Sequence, residues 1–236
     1  MAAIRYFHRT AGLETPTADE MVKAVLSGIR RTIGAAPVRK KAATSDIVLG
    51  MVGGKGTSLR ELRDRTILLL GFAGAFRRSE LVALNLDDIE WTTEGALVMI
   101  RRSKTDQEGL GRKVGIPRGE IACPVTALEA WLEAAGISEG PVFRRVFNRW
   151  AQRVGEQRLA ARNVASVVKA AAAELGFDPA TFGGHSLRSG LVTTAVRRGV
   201  NLMKVCDQTG HKSLEMLRVY TRDAELFAGN AAAGLL

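Results

Sequence analysis

The chain has 236 residues, 46% of them hydrophobic and 25% charged, and at roughly 100–200 residues per domain that fits one domain, or one domain and a fragment of another. A mean hydropathy of +0.02 excludes both a membrane-embedded protein and a solvated, disordered tail. Lysine and arginine total 34 against 24 acidic residues, a net charge of +10, and such an excess points to a polyanionic partner, most often nucleic acid.

The charge is unevenly spread along the chain. Residues 1–42 hold eight basic and three acidic residues, a net +5, and residues 43–236 carry the other +5. Met21, Val22, Val25, Leu26 and Ile29 predict a short helix. Arg30, Arg31, Arg39, Lys40 and Lys41, set around Gly34 and Pro37, predict a basic linker suited to a DNA backbone. Ser58 with Glu61 predicts a capping box, with Leu59, Leu62 and Ile67–Leu70 as the apolar face of the helix that follows. The apolar run Ile67–Phe76 is too short for a membrane span and fits a buried helix. A second helix is expected from near Ser79, carrying Leu81, Val82 and Leu84. Ala96–Arg101 and Arg112–Pro117 predict two strands around a polar turn at Ser103–Gly111, a β-hairpin. Pro124 suits the first position of a helix ending near Gly136. Six arginines fall within residues 144–162, among them Arg144, Arg145 and Arg149, and are expected to track phosphates. Asn163 is the expected cap of a helix with Val164, Val167, Val168, Ala171 and Leu175 on one face, stopped by Gly176. Helices are expected over 186–198, 202–209 and 213–220. The fold class is mainly α with a small antiparallel β-sheet (α+β).

Two cysteines, Cys123 and Cys206, exclude a disulfide scaffold, and no Cys/His cluster has zinc-site spacing. They suit a reducing cytoplasm. The opening MAAIRYFHRT is unlike the apolar run of a signal peptide, so a cytoplasmic protein, not bound to a membrane, is expected.

Chemistry enters at Gly183-Gly184-His185-Ser186-Leu187-Arg188. His185 and Arg188 are three apart and share a helix face, where both reach one phosphate. Arginine offers a planar fork to two phosphate oxygens. Histidine offers a donor or acceptor near neutral pH. Downstream lie Thr209-Gly210-His211 and, nine residues after His211, Tyr220, one of only two tyrosines. Upstream lie Phe76-Arg77-Arg78-Ser79-Glu80-Leu81, and the hairpin turn holds Ser103-Lys104-Thr105.

This ordered set resembles the catalytic domain of the tyrosine recombinases, the phage integrase family. The family's first box looks like Gly-Leu-Arg-x-Ser-Glu-Leu, followed by a Leu and an Asp-Ile. Arg77, Ser79, Glu80, Leu81, Leu84 and Asp88-Ile89 fit it, a register that makes Arg77 the catalytic arginine and Arg78 its neighbour. Lys104 matches the family's hairpin lysine, although Arg101, Arg102 and Lys113 lie in or beside the same hairpin. His185-Ser186-Leu187-Arg188 matches the second box. Thr209-Gly210-His211 matches a box usually written Leu-Gly-His, and Val219-Tyr220-Thr221 matches the nucleophile's surroundings. The likeness covers about residues 43–228.

The resemblance implies attack of Tyr220 on a DNA phosphate, a 3′-phosphotyrosyl intermediate, and rejoining by a 5′ hydroxyl without ATP, metal or other cofactor. Elementary chemistry assigns roles to match. Arg77 and Arg188 stabilise charge on the nonbridging oxygens. Tyr220, with an ordinary pKa near 10, needs a base, and His185 is placed to serve. Lys104 protonates the leaving 5′ hydroxyl, and His211 bonds the phosphate. Glu80, three residues after Arg77, is expected to hold a guanidinium or the helix start as a supporting group.

Further implied are double-stranded DNA as partner, self-association to a tetramer in the synapse, and a possible full-length partner recombinase. Residues 1–42 are then expected to be the remnant of an N-terminal helical DNA-binding domain plus linker, and 43–236 the catalytic domain with a C-terminal tail. The alternative is a truncated, catalytically weak or silent DNA-binding integrase remnant. A type IB topoisomerase would use similar residues, and a metal-dependent nuclease is disfavoured because no carboxylate cluster shows ligand spacing.

Overall fold

The computed structural model describes residues 1–34, 39–54, 56–102, 111–147, 153–211, 213–215 and 217. Two compact units divide at Arg39 and Lys40. The first holds α1 (Ala2–Thr10) and α2 (Glu20–Ile33). Asp19 caps α2, its carboxylate accepting from the backbone N–H groups of Met21 and Val22 at 2.8 and 3.2 Å, which satisfies two donors that a helix start leaves open. Neither helix buries a residue.

In the second unit, α3 (Ser45–Val52), α4 (Leu59–Ala73) and α5 (Arg78–Ala83) precede the strands β1 (Ile89–Trp91), β2 (Gly95–Ile100) and β3 (Arg112–Pro117). α6 (Pro124–Ala134), β4 (Arg144–Phe147), β5 (Arg153–Arg158), α7 (Ala161–Glu174), α8 (Ser186–Arg197) and α9 (Leu202–Thr209) follow. The unit is mainly helical with small antiparallel sheets, as the fold class anticipated. One sheet runs β1-β2-β3 and the other pairs β4 with β5. In the first, Val98 faces Ile89 on one side and Val114 on the other, so the alternation that predicted a hairpin also places its apolar face in the core.

α4 is the central helix. The capping box at Ser58 and Glu61 forms as expected, with reciprocal contacts at 3.4 and 3.2 Å. Ile67, Leu68, Leu69, Leu70 and Gly71 are all buried. Thr66 lies inside too, its hydroxyl satisfied by the carbonyls of Leu62 and Ala127, so its own donor is not left open. Gly71 lets α8 approach closely, since a β-carbon there would sit 2.8 Å from the Leu187 side chain. Gly190 does the same where α8 meets the chain before α3, a β-carbon there falling 1.7 Å from the Ala43 carbonyl oxygen. α8 is thereby pressed into the unit, and Arg188 with it.

One expectation is corrected. Asn163 does not cap α7. Leu159 is still paired with the Phe143 carbonyl, and the chain turns directly into the helix with Ala160 at its N-cap. The backbone N–H of Asn163 already bonds Ala160 O, so Asn163 is a first-turn residue. The arginine-rich stretch, moreover, holds a second hairpin, β4–β5, in which only Val146 and Val154 alternate as apolar partners.

Candidate active site

Arg77 stands at the N-cap of α5. It donates from Nη1 to Glu80 Oε1 at 2.6 Å, while its backbone N–H donates to Glu80 Oε2 at 3.0 Å. Glu80 is buried, so a single carboxylate starts the helix and aims the guanidinium. Arg78 is exposed and Arg77 half-buried. Ala75, just before, has φ +48°, a left-handed conformation that a non-glycine residue rarely adopts. Its carbonyl accepts from Arg188 Nη1 at 2.8 Å.

Arg188, on α8, is completely buried. Its Nη2 lies 3.1 Å from His211 Nε2. His211 follows the C-terminus of α9, where Gly210 closes the helix at φ +68°. The backbone angle favours glycine there, and a β-carbon would crowd the Arg112 side chain, 2.8 Å from its Nε. On its other edge, His211 Nδ1 is 2.7 Å from the Thr209 hydroxyl. His185 stands at the N-cap of α8 and reaches solvent. Burial, then Arg188, then Arg77 hold its pKa below the ordinary histidine value. The same three causes, in the same order, with smaller contributions from His185 and Arg112, push His211 down to about 4, so both imidazoles are neutral at pH 7.

Two residues at this site escaped the sequence reading. Arg112, first in β3, donates from Nη1 to the Gln208 carbonyl at 3.1 Å, and its Nη2 lies 3.7 Å from Glu80 Oε2. Its Nε and Nη2 are buried with no hydrogen-bond partner among the described residues. Gln208 donates from Nε2 to Ala73 O at 2.7 Å and to Gly115 O at 3.0 Å, tying α9 to the end of α4 and to β3. One signal for Arg112 was legible: it shares strand parity with buried Val114 and Ile116. Gln208 carried none.

Lys104, Tyr220 and Arg149 lie outside the described residues. Among cations near the hairpin, Arg101 pairs with buried Asp88, and Lys113 lies 3.6 Å from Glu90. Of the expected phosphate-tracking residues, Arg144 turns onto its own backbone, donating to Pro141 O at 2.9 Å and to Glu139 O. Arg145 is exposed, its guanidinium 4.9 Å from the Phe147 ring centroid. Arg39 is exposed in the first unit. In the second, Lys40 donates to Ala180 O at 2.7 Å, and Lys41 places its ammonium 4.2 Å from the Phe177 ring centroid. Among the described residues no three His, Cys, Asp or Glu side chains gather as a metal site would need, and no described helix is long and apolar enough to cross a membrane.

Residues 54–226 match the model of the phage integrase family. The chain belongs to this family. An integrase/recombinase XerD homologue of Selenomonas ruminantium is 36% identical over 224 residues, which cover 94% of this chain and 65% of the relative. Tyrosine recombinase XerD of Bifidobacterium longum is 28% identical over 229 residues, 94% of this chain and 69% of its own length. The chain thus spans about two thirds of these curated relatives. Among solved structures, the XerH site-specific recombinase bound to a palindromic difH substrate, in a post-cleavage complex, aligns at TM-score 0.62 and 17% identity, over 83% of this chain and 53% of that one. A lambda integrase dimer bound to a core site aligns at TM-score 0.55 and 19% identity, over 80% and 50%. The family fold accounts for the site's assembly: α5 delivers Arg77 to Arg188 on α8 and His211 after α9, both more than a hundred residues further along the chain.

Proposed function

We propose that this chain carries the strand-transfer centre of a site-specific DNA recombinase, working through a 3′-phosphotyrosyl intermediate without metal or ATP. The observation that carries the reading is a fully buried Arg188 whose Nη2 lies 3.1 Å from His211 Nε2, with Arg77 and Arg188 both contributing to the lowered pKa of His185 and His211. Two fixed cations at a phosphodiester offset the charge that grows on its nonbridging oxygens as a nucleophile attacks.

The Tyr220 phenol oxygen forms a bond to phosphorus, and its proton passes to neutral His185. The bond from phosphorus to the 5′ oxygen breaks, and Lys104 supplies the proton that makes it a hydroxyl. Arg101 and Lys113, held by Asp88 and Glu90, are less free to take that part. Reversal by the 5′ hydroxyl of another strand rejoins DNA and returns the phenol. Double-stranded DNA is the substrate in this reading, with four protomers in the synapse, a full-length recombinase as a possible partner, and Arg39, Lys40, Lys41, Arg145 and Arg149 as backbone contacts. Arg144 is the weakest member of that set because its guanidinium is already engaged.

A pool of nicked duplexes tests this, since loss of the short 5′-hydroxyl fragment traps the intermediate. A covalent protein–DNA adduct is expected in EDTA, absent from Tyr220→Phe. An adduct that needs Mg²⁺ would favour a nuclease. A folded, DNA-bound protein that gives no adduct would leave a silent binding module.

A further inference from the structure

Thr209 occupies a buried place beside His211, and its hydroxyl has more neighbours than it has protons. Oγ1 lies 2.6 Å from Val205 O, 3.3 Å from Cys206 O and 2.7 Å from His211 Nδ1. Carbonyl oxygens only accept, so the single hydroxyl proton points back to the α9 backbone. Oγ1 is then left with lone pairs toward the imidazole. His211 Nδ1 must therefore carry the ring proton. The opposite nitrogen, Nε2, faces Arg188 Nη2 at 3.1 Å, and a guanidinium is always a donor. The two contacts agree on one state: a neutral ring protonated on Nδ1, with its Nε2 lone pair accepting from Arg188. A proton on Nε2 would set two N–H groups against each other. A pKa near 4 is in keeping with the neutral ring.

We propose that Thr209 is a positioning residue that fixes the tautomer of His211, and that His211 so fixed uses its Nε2 lone pair to hold the Arg188 guanidinium in place before DNA arrives. The link to catalysis rests on the function proposed above; the tautomer does not. His211 is in this state an acceptor for an arginine and not a donor to phosphate, and Thr209 acts on the phosphate only through it.

The chain has three histidines, His8, His185 and His211, so long-range proton–nitrogen spectra of ¹⁵N-histidine protein are assignable with one substitution at each of the other two. DNA-free protein is expected to show a protonated, pyrrole-type Nδ1 and a pyridine-type Nε2 for His211. Thr209→Ser keeps this pattern, and Thr209→Val, similar in shape without the hydroxyl, loses it. A wild-type ring protonated on Nε2, or a Thr209→Val ring unchanged from wild type, overturns the proposal. The wild-type spectrum decides even if Thr209→Val fails to fold. In adduct formation on nicked DNA, Thr209→Val is expected to be roughly tenfold slower, at the lower end of what loss of an orienting partner costs, with Thr209→Ser restoring the rate. A fixed tautomer with no adduct from wild type would sink the recombinase reading and leave the tautomer standing. A wild-type rate in Thr209→Val, despite a changed tautomer, would sink the link to Arg188.

Discussion

Arg188 and Arg145 belong to two arginine-bearing regions that composition cannot tell apart. On α8, Arg188 is wholly removed from solvent, one Nη on the Ala75 carbonyl and the other against His211. On the β4–β5 hairpin, Arg145 stays in solvent above the Phe147 ring, while Arg158, also exposed, braces the backbone, donating to Val82 O at 2.6 Å and Leu84 O at 3.0 Å. Removing a guanidinium from water is costly, so a fold retains one where it is needed, at a site or at a joint. A solvated guanidinium costs almost nothing to keep and stays available to a charge that arrives from outside. Under the proposed function the same residue type would serve as phosphate clamp, brace and DNA-facing charge, and burial with partner identity separates the three.

The sharpest test of that contrast is at Arg188. Arg188→Met is expected to fold and to form adduct about a thousandfold more slowly or worse, the scale seen when a preorganised charge-stabilising donor is lost. The rate of adduct formation on nicked DNA, with thermal unfolding as the control, measures it. A folded variant within about tenfold of wild type would remove Arg188 from the phosphate and make it another brace.

How much of this was legible beforehand follows from how local each determinant is. The α4 capping box was readable because Ser58 and Glu61 meet each other within one turn. The β2–β3 hairpin showed because its strands alternate and their buried face is apolar. The β4–β5 hairpin did not, because Arg144, Arg145, Arg153 and Arg158 occupy positions where an apolar signal would be sought, leaving Val146 and Val154 alone to mark the inner face. α7 was found but entered late, since Asn163 has the right chemistry for a cap and the chain turns before reaching it. At the site, Arg77, Glu80, His185, Arg188 and His211 were visible as motifs. Arg112 was not, because the carbonyl it holds is 96 residues away, and no window along the chain brings the two together. The tie between Thr209 and His211 spans only two residues, but a hydroxyl's direction is set by the backbone of α9 and is not written in the residue letters.

Acidification probes the buried cluster from another side. His211 has a folded-state pKa of about 4 against about 6.5 when unfolded. Above pH 7 the ring is neutral in both states and contributes no pH dependence. As pH falls from about 6.5 toward 4, the unfolded chain takes up the proton first, and stability declines across that window, by less than the roughly 3 kcal/mol of the full shift because solvent screens this half-buried ring. His185, also lowered, adds a slope of the same sign. Urea unfolding at a series of pH values should show that decline, and His211→Gln should flatten most of it. An undiminished slope in His211→Gln would mean that the ring is not held neutral by burial and its guanidinium neighbours.

The smallest effect is expected at Arg145, where the comparison with Arg144 is most informative. Both were expected to track phosphates, yet the Arg144 guanidinium is committed to the carbonyls of Pro141 and Glu139. A residue that neutralises one phosphate contributes about 0.9 to the slope of log affinity against log salt. Arg145→Ala should lower that slope by about this amount and weaken binding evenly across DNA sequences, because a backbone contact carries no base information. Arg144→Ala should leave the slope unchanged and lower the unfolding midpoint instead, since what it loses is a brace inside the protein. Titrations of duplex DNA at several salt concentrations, run beside melting curves, distinguish the two. Equal slopes in both variants, each below wild type, would place Arg144 on the DNA as well and show that it exchanges its backbone partners for phosphate on binding.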